Sequence, residues 1–199
     1  MANGVLPSKY KQIRNLLIVL VSGIACAAIM AGIMLHYYGV SGRYLIENVL
    51  LDPGMLSKLS YDEANAQSKV FSHYTFDHIE YSYWSPKEKK WKNIPVSPEQ
   101  YRKFYDSIKN EKSVADVSDD VDSRFGGSTT STLTIFVKAQ EGSSGSAVPK
   151  AFQTLQFAGD GEYYRVELRE QAEIAGWAYF HRTGIGKDAY STFNPQAGL

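Results

Sequence analysis

Cysteine is almost missing from this sequence. Cys26 is the single cysteine among 199 residues, so the chain cannot form an internal disulfide. The sequence also contains no Asn-x-Ser/Thr tripeptide, which is the acceptor for N-linked glycosylation. Both absences suit a bacterial envelope protein better than a protein of a eukaryotic secretory pathway.

The chain also lacks an excess of either charge, since 21 Lys and Arg balance 21 Asp and Glu. The first 35 residues hold three basic residues and no acidic one, so the remainder is slightly acidic. A protein that binds nucleic acid needs a positive surface that neutralises phosphates. We therefore expect no nucleic-acid partner.

Catalytic signatures are missing as well. There is no HExxH or CxxC spacing and no G-x-S-x-G elbow. The stretch Gly184–Lys187 lacks the spacing and the Ser/Thr of a phosphate-binding loop. His73 and His78 are five residues apart and would face opposite sides of a strand. We expect a protein that is not an enzyme and carries no cofactor.

Aspartates crowd one polar stretch of the chain. They are Asp116, Asp119, Asp120 and Asp122. Carboxylates on a loop can hold Ca²⁺, but the turn glycine and the terminal glutamate of an EF-hand are missing from this register. The stretch is better interpreted as a solvated acidic loop, with no metal.

The longest apolar run extends from Leu16 to Leu35 and contains no charged residue. At about 1.5 Å per residue, a helix of about 20 residues spans roughly 30 Å, the thickness of a bilayer's hydrocarbon core. The run predicts a transmembrane helix over residues 16–35, after a basic tail over residues 1–15. The alternatives are a signal peptide cleaved near Cys26, a lipoprotein acylated at Cys26, and a buried helix. The apolar residues that continue to Leu35 argue against cleavage.

Flanking charge predicts the orientation of this helix. Lys9, Lys11 and Arg14 precede the run, whereas only Arg43 follows it closely, and positive residues collect on the cytoplasmic side of a membrane. The prediction is a single-pass protein of a bacterial inner membrane, with a cytoplasmic N-terminus and an exported, periplasmic C-terminal domain. Its expected partners are the lipid bilayer and other membrane or envelope proteins.

Small residues line one face of the apolar run. Because such residues let two helix backbones approach closely in lipid, this face predicts helix–helix contact and a homo-oligomer formed through the transmembrane helix. The predicted packing residues are Gly23, Ala27 and Ala31, with Ala28 and Gly32 beside them.

Residues 36–70 predict a helical connector. Apolar residues recur there at helical spacing up to Asp52. Ser60 and Glu63 then have the form of a capping box, which would start a further helix through about Val70.

Residues 71–184 predict an exported α+β domain. Its clearest helix starts at the N-cap Ser97, with Pro98 at the first helical position and Gln100 at N3. Strands are predicted at 75–84, 91–96, 132–139, 151–158, 162–169 and 176–182. The predicted fold class is α+β, with one N-terminal transmembrane helix before an antiparallel meander sheet packed by one main helix. Residues 185–199 show no periodicity and predict a loose tail.

Aromatic residues exceed what one helix can cover, and they predict an interaction surface. The candidates are Trp84, Trp91, Trp177 and Tyr179. The leading hypothesis is a non-enzymatic structural or assembly component of a bacterial cell-envelope complex. The alternative is a membrane-tethered periplasmic sensing module that binds a ligand or peptide, which requires a well-formed pocket.

Overall fold

The computed structural model describes residues 8–38, 44–65, 70–114, 119–126, 130–143, 145, 147–170 and 173–194. The chain divides into two compact units, Met1–Gly42 and Arg43–Leu199. The first contains one long helix, and the second contains the whole β-sheet with its helices.

The N-terminal unit is built on helix α1 (Ser8–Tyr38). Within the part of the chain that the structure describes, no helix has the length and apolar character that crossing a membrane requires. The predicted transmembrane helix over 16–35 is therefore wrong. Three further predictions depended on this helix and are wrong as well: the inner-membrane location, the single-pass topology and the exported domain.

The segment that opens the second unit is only partly helical. Helix α2 (Ile46–Val49) and a 3-10 helix (Pro53–Lys58) lie where helical spacing predicted them. The helix predicted from Ser60 is wrong, because Ser60–Asn65 forms strand β1. Pairing with the next strand, in which Ser60 lies opposite Thr75, outweighs the local capping-box pattern.

The sheet has seven strands in the described part of the chain, and their pairings are antiparallel. Besides β1, the strands are β2 (Val70–Ser85), β3 (Lys90–Val96), β4 (Ser131–Ala139), β5 (Lys150–Phe157), β6 (Tyr163–Glu170) and β7 (Glu173–His181). The six predicted strands are all present, and β4 to β7 follow one another as a meander.

Strand β2 organises one end of the sheet because it pairs with three other strands. Its first half pairs with β1 and its second half with β3, on the side away from β4. These two short strands therefore form one outer edge, and β7 forms the other. At the β7 edge the Val114 backbone N donates a hydrogen bond to Tyr179 O at 2.7 Å.

Two helices cover the inner face of the sheet. Helix α3 (Pro98–Ile108) starts at the predicted capping box: Gln100 N donates to Ser97 Oγ at 3.1 Å, and Ser97 N donates to Gln100 Oε1 at 2.9 Å. Helix α5 (Ile185–Phe193) lies where a loose tail was predicted, so that prediction is wrong for these residues. Residues 195–199 of the predicted tail lie outside the described residues. The two helices also replace the single main helix of the predicted fold class.

The core between these layers is rich in aromatic rings. The largest fully buried side chains are Tyr74, Tyr81, Tyr101, Tyr164, Phe104, Phe157, Phe180, Phe193, Ile46, Ile79, Ile108 and Leu133. Phe104 lies with its ring centroid 5.7 Å from Phe157 and 5.1 Å from Phe193. Full burial of such a ring stabilises a fold by about 1.5–3 kcal/mol, so this cluster fixes both helices to the sheet.

Replacing Ser97 with alanine is expected to lower the free energy of unfolding by about 1 kcal/mol, because the N-cap oxygen that accepts from Gln100 N is lost. Urea denaturation followed by circular dichroism measures the change. The control is Ser97→Asp, which supplies another capping oxygen and should keep most of the stability. Equal losses in both variants would contradict the role of the cap.

Candidate ligand groove

A groove opens in the second unit where three segments meet. These are the β2–β3 hairpin, the β5–β6 turn and helix α5, with Ser131 of β4 beside them, and the groove has a volume of about 910 Å³. Ligand sites for small molecules have volumes of about 300–1,000 Å³. The groove is therefore large enough for a small organic molecule.

Glycines allow the β5–β6 turn and α5 to approach closely at one wall of the groove. Gly161 has a φ of +73°, a left-handed conformation that glycine adopts without strain. A Cβ added to Gly186 would lie 3.1 Å from Gly161 Cα, which is tighter than ordinary contact. Glycine at both positions therefore lets the β5–β6 turn lie directly against the start of α5.

Aromatic side chains form another wall. The rings of Tyr81 and Tyr83 stack with centroids 5.9 Å apart, and Tyr190 meets Tyr83 edge-on at 5.1 Å. Tyr81 OH donates to Ser131 Oγ at 3.1 Å. Burial raises the pKa of Tyr81 to about 12. Burial, followed by a hydrogen bond with Tyr190, also raises the pKa of Tyr83. These hydroxyls therefore stay neutral at physiological pH.

Lysines give the groove its free positive charge. Lys87, Lys92 and Lys187 all line it. Lys92 forms an ion pair with Glu88, and the hydrogen bonds from Lys92 and Lys90 lower the pKa of that carboxyl. Among the described residues, Lys87 and Lys187 have no ion-pair partner. These two ammonium groups are available to an anion.

Asp160 is a second acidic residue that lines the groove, and it is already paired. Its Oδ2 accepts from Arg124 Nη1 at 2.9 Å, and its Oδ1 accepts from Glu162 N at 2.9 Å. Burial alone would raise the pKa of Asp160, but the Glu162 backbone and the Arg124 side chain hold it below its usual value. The carboxylate is ionised and already engaged with these donors.

The predicted aromatic surface is divided between two places. Trp84 lines the groove, and Trp91 meets it edge-on with a centroid distance of 6.1 Å. Trp91 is 47% exposed. Trp177 and Tyr179 instead lie on strand β7, within a different set of contacts. Of the four predicted residues, Trp84 lines the groove, Trp91 packs against Trp84, and Trp177 and Tyr179 lie away from the groove.

Arg165 organises the second place, on the outer face of the sheet. Its guanidinium lies 4.4 Å from the Trp177 ring centroid and 4.5 Å from that of Phe125. Its Nη1 also donates to Asp122 Oδ1 at 2.7 Å. Only 15% of the Arg165 side chain is exposed. These contacts hold the short helix α4 (Asp119–Ser123) on the sheet, a cation–π arrangement that serves packing.

Two aspartates of the acidic stretch form ion pairs with arginines. Asp120 pairs with Arg124 and Asp122 pairs with Arg165. Asp116 lies outside the described residues. Among the residues that the structure describes, no three His, Cys, Asp or Glu side chains are grouped to hold a metal ion.

The small-residue face lies on α1. Gly23, Ala27, Ala28 and Ala31 are exposed there, and the exposure of Gly32 lies outside the described part of the chain. A Cβ added to Gly23 would meet nothing within 4 Å. Contact of this face with a second helix stays a prediction.

Several residues that line the groove were not predicted from the sequence as site residues. Lys187, Tyr190 and Gly186 belong to the region that was predicted to be a loose tail. The spacing of Ile185, Ala189 and Phe193, which are all buried, is the helical signal that could have revealed it.

Comparisons of the chain with known protein families, with curated proteins and with solved structures find no match.

Proposed function

We propose that the unit over residues 43–199 is a binding module whose groove takes a small anionic ligand that carries an aromatic ring. The observation that carries this proposal is the pairing of two free lysines with a tyrosine wall in one groove of about 910 Å³. The groove supports binding by its size and by its combination of apolar and polar groups.

The aromatic wall supports a ring as one part of the ligand. Tyr83 and Tyr190 are both half-buried, so each keeps some ring surface towards solvent. A planar ligand can stack on such surface, and a pair of aromatic rings gains about 0.5–1.5 kcal/mol beyond the area that it buries. Tyrosine hydroxyls and Asn194, which also line the groove, supply hydrogen bonds that orient the ligand.

The lysines support an anionic group as the other part. Lys87 and Lys187 come from two different segments that line the groove, Lys87 from the β2–β3 turn and Lys187 from α5. A carboxylate, sulfonate or phosphate between them would be attracted by both. Ligand binding in this groove supports the sequence-based alternative of a binding module over the hypothesis of assembly through a transmembrane helix. A non-enzymatic assembly role without a membrane span stays a prediction.

The probe for this proposal is 8-anilinonaphthalene-1-sulfonate, which combines aromatic rings with one negative charge. Replacing Lys187 with glutamine should weaken its binding about fivefold, because an exposed ion pair contributes up to about 1 kcal/mol. Replacing Tyr190 with alanine should weaken it about tenfold through lost ring contact. Fluorescence titration of the folded full chain measures both dissociation constants.

Two comparisons test the specificity of this binding. The matched control is Lys103→Gln, which removes an exposed lysine on α3 and should leave the dissociation constant unchanged. The uncharged probe N-phenyl-1-naphthylamine should respond to Tyr190→Ala but not to Lys187→Gln. The proposal fails when Lys187→Gln and Lys103→Gln have the same effect, or when neither probe responds to Tyr190→Ala.

A further inference from the structure

The β1–β2 hairpin carries a hydrogen-bonded chain of serine, histidine and aspartate. Ser60 Oγ lies 3.0 Å from His73 Nε2, and His73 Nδ1 lies 2.8 Å from Asp62 Oδ1. Both distances are those of a formed hydrogen bond. A nucleophile, a base and a group that orients the base are the three parts of an activated serine.

Strand register produces this arrangement. Ser60 and Asp62 are two residues apart on β1, so their side chains share one face. His73 lies directly opposite Asp62, and Thr75 lies opposite Ser60. The imidazole therefore reaches the carboxylate across the strand pair and the hydroxyl along the diagonal. No sequence motif announces this set, because pairing of the strands assembles it.

The carboxylate determines which nitrogen of the histidine carries the proton. A carboxylate can only accept, so the neutral imidazole donates its Nδ1–H to Asp62. Nε2 is then the acceptor for the Ser60 hydroxyl. This is the tautomer in which a histidine can remove the hydroxyl proton.

We propose that Ser60 is the nucleophile of a hydrolytic site for small, activated esters. Ser60 Oγ attacks the ester carbonyl carbon while its proton passes to His73 Nε2. The bond to the leaving alkoxide or phenoxide breaks, and that group takes the proton from His73 Nε2, or it leaves as the anion and His73 gives the proton to water. Water then hydrolyses the acyl-serine by the reverse sequence, which releases the carboxylic acid and restores Ser60.

Exposure sets the class of substrate. Ser60 is exposed, and 37% of the His73 side chain and 65% of the Asp62 side chain are open to solvent. An open site gives water free access and little substrate contact, so it suits esters with a good leaving group.

This site is separate from the groove. His73 and Tyr83 are ten residues apart on β2, roughly 33 Å along a strand. The hydrolytic proposal therefore neither depends on the proposed ligand binding nor follows from it. It also goes against the sequence-based expectation that the protein is not an enzyme.

Covalent labelling tests the nucleophile. The full chain is treated with a fluorophosphonate and, separately, with p-nitrophenyl acetate, and the modified residue is located by peptide mass analysis. We expect label on Ser60 and an initial burst of p-nitrophenol that Ser60→Ala removes. A general base contributes about 10²–10⁴-fold, so His73→Ala should slow the labelling at least about tenfold.

Matched variants separate this activity from ordinary surface reactivity. Ser57→Ala removes another exposed serine nearby and should change nothing. His78→Ala removes a histidine that also pairs with an aspartate, since His78 Nδ1 lies 2.6 Å from Asp77 Oδ2, and it should leave Ser60 labelling intact. The proposal is overturned when Ser60 is labelled no faster than Ser57, or when His73→Ala labels at the original rate.

Asp62 acts through His73, so it is a positioning residue. Asp62→Asn should slow the labelling, and it should also shift the ¹⁵N resonances of the His73 ring away from the Nδ1–H tautomer. Asp62→Glu should restore part of both signals because it keeps a carboxylate. An unchanged tautomer in Asp62→Asn would contradict the positioning role, even where the labelling rate falls.

Discussion

Replacing Phe157 with alanine should lower the free energy of unfolding by about 3–5 kcal/mol. The Phe157 side chain is fully buried. Its ring centroid lies 5.7 Å from that of Phe104 on α3 and 6.3 Å from those of Tyr81 and Tyr164 in the sheet. Alanine would leave a cavity where helix and sheet meet, and urea denaturation at neutral pH measures the cost.

Two further variants bracket this prediction. Phe157→Leu keeps most of the apolar volume and should cost clearly less than Phe157→Ala. Trp91→Ala removes a larger ring from a site that is 47% exposed, so it should also cost less. If Trp91→Ala destabilised the protein as much as Phe157→Ala, the core described around Phe157 would be wrong.

Alkaline solution should unfold this protein steeply. Burial raises the pKa of Tyr81 to about 12, and burial also raises the pKa values of Tyr101 and Tyr164 above the ordinary tyrosine value. In the unfolded chain these tyrosines ionise near pH 10. Above that pH the unfolded state binds fewer protons than the folded state, so stability falls as pH rises.

The size of the alkaline effect follows from the number of buried tyrosines. Each contributes its full stabilisation below its unfolded pKa and loses about 1.4 kcal/mol per pH unit between its unfolded and folded pKa values. For Tyr81 that window is about pH 10 to about 12. Urea midpoints measured between about pH 9 and about pH 11.5, together with tyrosinate absorbance, test the expected slope.

A single substitution checks the source of the slope. Tyr81→Phe removes one of the buried hydroxyls and should reduce the slope by about 1.4 kcal/mol per pH unit. Tyr163→Phe is the control, because Tyr163 is only half-buried on the outer side of the sheet. A slope that is unchanged in Tyr81→Phe would show that other groups control alkaline unfolding.

Local patterns were sufficient for much of the second unit. The capping box at Ser97 predicted the start of α3 correctly, because a cap acts within one helix. The strand predicted at 132–139 matches β4, in which Leu133, Ile135 and Val137 are buried on one face. These signals report on each element alone, and tertiary packing agrees with them.

Other elements depend on partners that are distant in the sequence. The capping-box residues Ser60 and Glu63 gave a false helix because pairing with β2 decides the conformation of β1. Helix α5 was missed because Ala189 contributes little to a hydrophobic pattern, although it is fully buried. The transmembrane helix was predicted from apolar content, and that prediction failed in the described part of α1.

Both candidate sites arise from such long-range pairing. The groove brings together residues from four separate segments between Tyr81 and Asn194. The chain of Ser60, Asp62 and His73 needs the register of two strands. The sequence alone shows which residue types are present, but it does not show which of them are close in space, because strand register and turn geometry decide that.

The edges of the sheet affect the tendency of this protein to aggregate in concentrated solution. An open strand edge invites another chain to add a strand, and charged residues or proline on the edge oppose this. Here β3 presents Lys90, Lys92 and Pro95, which has no N–H to donate. The neighbouring edge strand β1 presents Asp62 and Glu63, and Val114 occupies Tyr179 O on β7. Growth of fibres by sheet extension is therefore discouraged at the edge formed by β1 and β3, and the Tyr179 carbonyl of β7 is not free to pair with an added strand.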